Sequence, residues 1–294
     1  MKILVYGSLN IDLVFSVDHI VLPGETLDST SLTRGAGGKG ANQAAALAKA
    51  GMPVHMAGKI GQDGQFLLRL LQSYGVNTDK VVQYEGATGQ AIIQLDKSKQ
   101  NAIVLYSGGN AAVTVEEINK TIAEFDSGDI IVLQNEIIHI REIMECAQKQ
   151  GMRIYLNPSP YNEKIKTLPL DLVDLFFVNE IEGAALAELV PKTAPPLILD
   201  HLVRRFPKAE IILTAGEGGA YYGFNQKREK GNVIEVIVED TTAAGDTFTG
   251  YYIAARERKM SVSQALSAAC KASSIAVSRK GAMESIPSAK EVFG

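Results

Sequence analysis

The stretch Asp240 to Gly250, DTTAAGDTFTG, sets two carboxylates around a turn of small residues. Ala243, Ala244 and Gly245 let consecutive backbone N–H groups point into one concavity. At a helix start such a concavity attracts anions through its donors and the helix dipole. A carboxylate in a loop that merely bound phosphate would repel its ligand. Asp246 makes chemical sense where it takes a proton from a hydroxyl while the amides stabilise charge on a transferring phosphoryl group. The plainer alternative is Asp246 as the N-cap of the helix that follows.

Other chemistry-bearing residues also stand at the ends of strand-like runs. In GSLNIDLV, Asn10 and Asp12 lie just beyond the first strand, and an Asn-x-Asp pair suits neighbouring hydroxyls, because a carboxylate accepts twice and an amide both donates and accepts. An Asx turn explains the pair equally well. Glu136 ends VLQNE in the same way. Asn179 and Glu182 share one side of a first helical turn in FVNEIEGA, as ligand contacts or as a cap and a dipole partner. Thr214 precedes Gly216, Gly218 and Gly219, which leave backbone open to a flat or phosphorylated ligand or make a tight hairpin.

RGAGGKGANQAAA satisfies G-x-G-x-x-G through Gly35, Gly37 and Gly40, but the context is wrong for a dinucleotide site. The first strand ends near Gly7, and no acidic residue follows about 20 positions on. A phosphate-binding loop of the Walker type is excluded because Gly40 follows Lys39. What remains is a glycine turn that presents backbone N–H groups, Lys39 and Asn42 at a helix start.

The elements that must position these residues alternate. KILVYGS, PVHMAGKIG, DIIVLQNE, MRIYLNPS, VDLFFVNE and EIILTAG read as strands, and NVIEVIVE reads as another. ANQAAALAKA, GQFLLRLLQSYG, TVEEINKTIAEF, REIMECAQKQG, IEGAALAELV, HLVRRF and FTGYYIAARERK read as helices. Thr114 with Glu117, Ser261 with Gln264 and Ser288 with Glu291 form capping boxes. The alternation implies a mostly parallel sheet with helices on both faces. Two β-rich excursions, about 11–36 and 86–107, interrupt it, and they are expected to pair into a lid over the strand C-termini. No linker divides the 294 residues, so one α/β domain is expected.

Composition excludes several classes. A net charge of −4 without a basic stripe argues against nucleic acid as a partner, and no apolar run is long enough to cross a membrane. Cys146 and Cys270 fit no metal or redox spacing, and His19, His55, His139 and His201 form no metal pair. The opening MKILVYGSLNID lacks a signal-peptide pattern, so a cytoplasmic location is expected.

Together these motifs resemble the ribokinase family, the PfkB-type carbohydrate kinases. The pieces that carry the resemblance are Asn10 and Asp12, PGET at 23–26, GGKGANQA at 37–44, NPSP at 157–160, NEIE at 179–182, DTTAAGDTF at 240–248 and SRKGAMESIP near the end. GGKGAN and TTAAGD look closer to the ribokinase branch than to fructose, adenosine or ketodeoxygluconate kinases. The resemblance implies a ribokinase-like three-layer fold and ATP-dependent phosphorylation of the ribose 5-hydroxyl. Asp246 would be the base, and the amides of Ala243, Ala244 and Gly245 the anion hole. Asn10, Asp12, Gly38, Lys39, Asn42 and Glu136 would hold sugar hydroxyls.

The nucleotide would face Asn179, the Thr214–Gly219 loop with Gly216, Gly218 and Gly219, and Cys270. Cys270 departs from the polar residue often found there. Glu182 would organise Mg²⁺ through water. A K⁺ site would match Asp240, Thr242, Ala276, Arg279, Gly281 and Ser285, many through backbone carbonyls. KTAPP at 192–196 interrupts a region expected to be helical. A homodimer through edge strands of the lid is expected. The alternatives are a kinase for another furanose or a nucleoside (fructose, deoxyribose, adenosine) and a catalytically silent sugar-binding protein.

Overall fold

Ile3–Tyr6 (β1) is buried at every position, as a central parallel strand requires. A computed structural model describes all residues, 1–294. After β1 come β2 (Asn10–Ser16), β3 (Ser31–Gly37), α1 (Lys39–Lys49), β4 (Val54–Ile60), α2 (Gln65–Ser73), β5 (Asn77–Gln83), β6 (Gly89–Leu95) and β7 (Asn101–Tyr106). The middle of the chain supplies α3 (Val115–Ile122), β8 (Ile130–Gln134), α4 (Ile140–Lys149), β9 (Arg153–Asn157), β10 (Leu175–Asn179), α5 (Glu180–Leu186) and α6 (Pro195–Arg205). The last part supplies β11 (Glu210–Thr214), β12 (Ala220–Phe224), β13 (Lys227–Gly231), α7 (Ala244–Glu257), α8 (Val262–Val277) and α9 (Ala289–Phe293).

The main sheet has nine strands in the order β13-β12-β11-β10-β9-β8-β1-β4-β5. Its pairs are parallel from β5 through to β11, and the β11–β12 and β12–β13 pairs at one edge are antiparallel. Alternation along β1 sorts its side chains onto two faces. Ile3 and Val5 join a core with α1, α2, α7 and α8, while Leu4 and Tyr6 join a second core with α3, α4, α5 and α6. The result is three layers, helix on sheet on helix.

The two excursions meet in a four-stranded sheet ordered β3-β2-β6-β7. Its registers bring Gly37 and Gly89 beside Asn10, and Gly35 beside Asp12. A Cβ on Gly37 would collide with the Asp12 carboxylate, so glycine there is required by the position of that side chain. At Gly40 a Cβ would lie 2.6 Å from the Ser8 nitrogen, which lets the first turn of α1 close on the end of β1.

Two sequence expectations fail. NVIEVIVE is rich in β-branched residues like a strand, yet residues 232–239 pair with no strand. Their backbone is taken up by α8 instead: Ile234 N–H donates to Ser274 Oγ at 3.1 Å, and Glu239 N–H to the Val277 carbonyl at 2.8 Å. KTAPP does not interrupt a helix but starts one. Pro195 opens α6, where its missing N–H costs nothing. The capping boxes at Thr114, Ser261 and Ser288 form as their spacing suggests.

Candidate active site

The helix start in DTTAAGDTFTG falls at Ala243, so Asp246 is not an N-cap but sits in the first turn of α7. Ala243 has φ 57°, in the left-handed region that a Cβ disfavours. Backbone held there at a small-residue turn reads as a constraint set by the site. The N–H groups of Ala243, Gly245 and Asp246 find no acceptor in the protein, while that of Ala244 donates to the Thr241 carbonyl at 3.3 Å. Two of the three amides assigned to an anion hole are therefore unengaged, and the third shares its donor with the turn. Asp246 adds one more.

The Asp246 carboxylate is buried and clamped by two amides of α1. Asn42 Nδ2 donates to Oδ2 at 3.0 Å and Gln43 Nε2 donates to Oδ1 at 2.9 Å. Asn42, assigned by resemblance to the sugar, thus also holds Asp246. Its Oδ1 is buried without a partner, an acceptor open to a hydroxyl donor.

A cavity of 230 Å³ brings Asp246 together with Ala243, Ala244, Gly245, Lys39, Asn179, Glu182 and Thr214, from five elements and their loops. Asn157 and Ser159, from the NPSP motif, complete its wall. Burial works against charge on the Lys39 ammonium, but Asp246, Glu136 and Glu182 outweigh it and hold its pKa above the usual lysine value. Lys39 is therefore a fixed cation among three carboxylates. Glu136 accepts hydrogen bonds from the Ser8 hydroxyl and, at 3.1 Å, from Lys39 N–H.

Asn10 and Glu136 line a neighbouring cavity of 650 Å³ under the small sheet. Asn110 Nδ2 donates to Asn10 Oδ1 at 2.7 Å, and Asn110 Oδ1 accepts from Leu9 N–H at 3.1 Å. Asp12 is half-buried on β2, and burial, with the charges of Glu136 and Glu284, pushes its carboxyl up to about 7. Gly38, with φ 93°, turns the chain from β3 into α1 and places Lys39.

Asn179 and Glu182 close a capping box: Glu182 N–H donates to Asn179 Oδ1 at 2.8 Å and Asn179 N–H to Glu182 Oε2 at 3.1 Å. The capping role and the cavity-facing role are both fulfilled. Among the glycines after Thr214, Gly219 is needed by the fold, because a Cβ would strike the Gly231 carbonyl. Gly216, with φ 50°, has open space around it, and Gly218 would meet only Ala215.

Cys270 differs from its assignment. It is 2% exposed in the core of α8, beside Leu266 and facing Gly231, and it does not line the cleft. Burial pushes its thiol up to about 11, so it is also unreactive.

Around Asp240 the structure gathers Thr242 and Gly281, whose N–H groups donate to its two carboxylate oxygens at 2.9 and 3.1 Å. Burial opposes ionisation of Asp240, but these bonds and the Lys99 charge hold its carboxyl below the usual range. Ala276 O accepts from Arg279 N–H at 3.0 Å, the Arg279 guanidinium pairs with Glu291, and Ser285 Oγ donates to the Ala282 carbonyl at 2.8 Å. The Asp240 carboxylate is the charged member of this set, and both of its oxygens already accept N–H bonds. For a divalent ion the donors are few, since no group of three acidic, histidine or cysteine side chains converges. Glu182 alone, with one oxygen uncapped, suits an ion that keeps its water and is shared with phosphates.

Sequence reasoning did not single out Gln43, Gln134, Ser8 or Asn110. Gln43 stands inside GGKGANQA, and Gln134 inside the strand-ending VLQNE. Their partners lie 91 and 203 residues away along the chain, so no local spacing reveals them.

Amides at a helix start, a clamped carboxylate and a half-buried lysine at the carboxyl edge of a parallel sheet define a phosphotransferase that acts on a hydroxyl. Residues 1–289 match the pfkB family of carbohydrate kinases, and the chain belongs to that family. Among its relatives, the ribokinase of Haemophilus influenzae is 32% identical over 98% of this chain and 96% of its own length. A deoxyribokinase of Salmonella typhi is 30% identical over 99% and 97%. The chain spans about half, 55%, of a bifunctional ribokinase/ribose-5-phosphate isomerase A from Fructilactobacillus sanfranciscensis, at 33% identity over 99% of this chain. Ribokinase from Cryptococcus neoformans, solved in complex with ADP, superposes with a TM-score of 0.87 at 31% identity, covering 99% of this chain and 98% of that one. The protein is a carbohydrate kinase of ribokinase fold.

Proposed function

We propose that the protein transfers the γ-phosphoryl group of ATP to the 5-hydroxyl of D-ribose. The observation that carries this reading is the Asp246 carboxylate, held by the Asn42 and Gln43 amides at the mouth of an amide-bearing helix start. Asp246 takes the hydroxyl proton as the oxygen attacks. The unengaged N–H groups of Ala243 and Gly245 and the Lys39 ammonium meet the charge on the transferring group. Phosphoryl transfer asks little covalent help of a protein and depends on in-line positioning, neutralised charge and excluded water.

Asn10, Asp12, Gly38, Lys39, Asn42 and Glu136 hold the sugar. Asn179 and the loop from Thr214 through Gly216, Gly218 and Gly219 face the nucleotide. Magnesium would be held by ATP phosphates and, through water, by Glu182, and would neutralise phosphate charge. Potassium would be held by the Asp240 carboxylate with Thr242 and the carbonyls of Ala276, Arg279, Gly281 and Ser285, and would brace the turn that carries Ala243. The small sheet acts as the lid. Leu32, Ile103, Val104, Leu105 and Tyr106 are more than half exposed on it or close to that, which supports a homodimer through this sheet, checked by sedimentation. No helix is long and apolar enough to cross a membrane.

A coupled ADP-release assay over ribose, deoxyribose, fructose and adenosine, with and without K⁺, tests the reading. Ribose is expected to give the highest kcat/KM. The deoxyribokinase relative makes deoxyribose the competing substrate. Tight binding of one sugar without turnover of any would sink the kinase assignment in favour of a silent binder.

A further inference from the structure

The carboxylate of Asp246 is the near end of a buried side-chain chain that crosses the centre of the molecule. Gln43 Nε2 donates to Asp246 Oδ1 at 2.9 Å, and Gln134 Nε2 donates to Gln43 Oε1 at 2.6 Å. Gln43 and Gln134 are both 0% exposed, on α1 and at the end of β8. The direction of the chain is forced. An ionised carboxylate only accepts, so Gln43 must present its NH₂ to Asp246, which turns its oxygen toward Gln134, which must present NH₂ in turn. The main chain makes room for the outer member. A Cβ on Gly7 would collide with Gln134 Oε1, and that oxygen has no hydrogen-bond partner.

Packing alone does not account for this. Methionine or leucine would fill both positions without burying two amides and an unpaired acceptor, which is costly. The chain leads nowhere else, because its only charged member is Asp246. We infer that Gln43 is a positioning residue for phosphoryl transfer and Gln134 its support: they fix the carboxylate orientation in which Asp246 meets the sugar hydroxyl. Asn42 holds the other oxygen from the same helix turn, so α1 sets both coordinates of the base. This inference rests on Asp246 being that base.

The other charged groups lining the same cavity are Lys39 on α1 and Glu182 on α5, with Glu136 beyond Lys39. None of them hydrogen-bonds to Gln43 or Gln134, so loss of the amides leaves those groups in place. Gln43→Met is therefore expected to lower kcat roughly tenfold and keep the KM values for ribose and ATP within about twofold. Gln134→Met should act in the same direction, by roughly threefold, because Gln43 keeps its bond but loses what fixes it. Should Gln43→Met not fold, Gln134→Met carries the test from the outer position.

Wild-type kcat in a folded variant overturns the inference. So does a fall in kcat accompanied by raised KM, which marks a packing role. Asp246→Asn separates the two layers of argument. If it keeps more than about a tenth of the activity, Asp246 is not the base and the positioning role falls with it. If it is inactive while Gln43→Met is unaffected, only the positioning role fails.

Discussion

Around Asn10 the wall of the cleft is tied together, whereas the segment from Asn232 to Thr242, which reaches the cleft at Thr241, is largely exposed. On the first side Asn10, Asn110 and Ser8 are buried and hydrogen-bonded to one another's neighbours, and Glu136 is held by Ser8 and Lys39. On the second side Ile234, Ile237 and Val238 are half-exposed or more, at 50%, 85% and 52%, and the segment belongs to no sheet. Hydroxyl recognition needs donors and acceptors set at fixed angles, and preorganisation spares the cost of ordering them on binding. A nucleotide brings its own bulk and charge, so on the proposed reading a segment beside its site could be completed on arrival. The difference separates a specificity wall from an adaptable one, and Asp246 stands at the seam.

The largest effect is expected at that seam. Asp246→Asn should lower kcat by about a hundredfold or more while the far-ultraviolet circular dichroism stays that of the wild type. Steady-state kinetics with ribose checks it. A variant that retains more than roughly a tenth of the activity contradicts a general base.

Next comes the fixed wall alone. At pH 8, above the value of about 7 to which its carboxyl is pushed, Asp12→Asn should raise KM for ribose by roughly ten- to a hundredfold, the worth of hydrogen bonds to a charged group, and leave KM for ATP unchanged. Asp12 also gives the sign of a pH effect. Its carboxyl is pushed up to about 7 from 3.8, so the folded protein holds that proton more tightly than the unfolded chain does. The resulting stability is complete below the unfolded value and is lost as pH rises through about 7. Asp12→Asn escapes that loss. In the absence of sugar its Tm at pH 8 should exceed that of the wild type by about 3 °C or more, with the gap narrowing toward pH 4. An equal gap at both ends would show that Asp12 is not held protonated.

How legible these two walls were follows from how they are built. The parallel sheet, its helices and the second sheet could be read from apolar periodicity, because each strand end is marked by a change from buried to polar residues. The fixed wall was half legible. Asn10, Asp12 and Glu136 announce themselves as polar residues just past apolar strands. Their holders Ser8 and Asn110 do not, since Asn110 reaches Asn10 from 100 residues away. The segment 232–239 reads as a strand because it is rich in Val and Ile. Propensity loses there to the hydrogen bonds that α8 offers its backbone. The start of α7 was misplaced for a related reason. Ala243 has no side chain that could signal a cap, and only its left-handed φ marks the place.

A smaller effect should mark the adaptable wall as such. Hydrogen exchange of residues 232–243 is expected to slow on addition of the non-hydrolysable nucleotide and to be unmoved by ribose, while residues 8–12 respond to ribose alone. Binding to the folded state also raises stability by mass action, by about 2.7 kcal/mol at a hundredfold excess over Kd. Protection of both segments by either ligand would erase the distinction between the walls.

The smallest effect tests how far the nucleotide reaches into the core behind that wall. Cys270 is 2% exposed, with its sulfur directed toward Gly231 in β13 and Leu266 beside it. A ligand could touch it only if residues 231–238 moved off α8, against the hydrogen bond from Ile234 to Ser274. Cys270→Ala should therefore leave KM for ATP within about twofold and lower Tm by only about 2–4 °C, the cost of a small buried void. A tenfold rise in KM for ATP would mean that the loose wall opens as far as α8 when nucleotide binds. The boundary between adaptable surface and fixed core would then lie one layer deeper than the hydrogen bonds of the ligand-free protein place it.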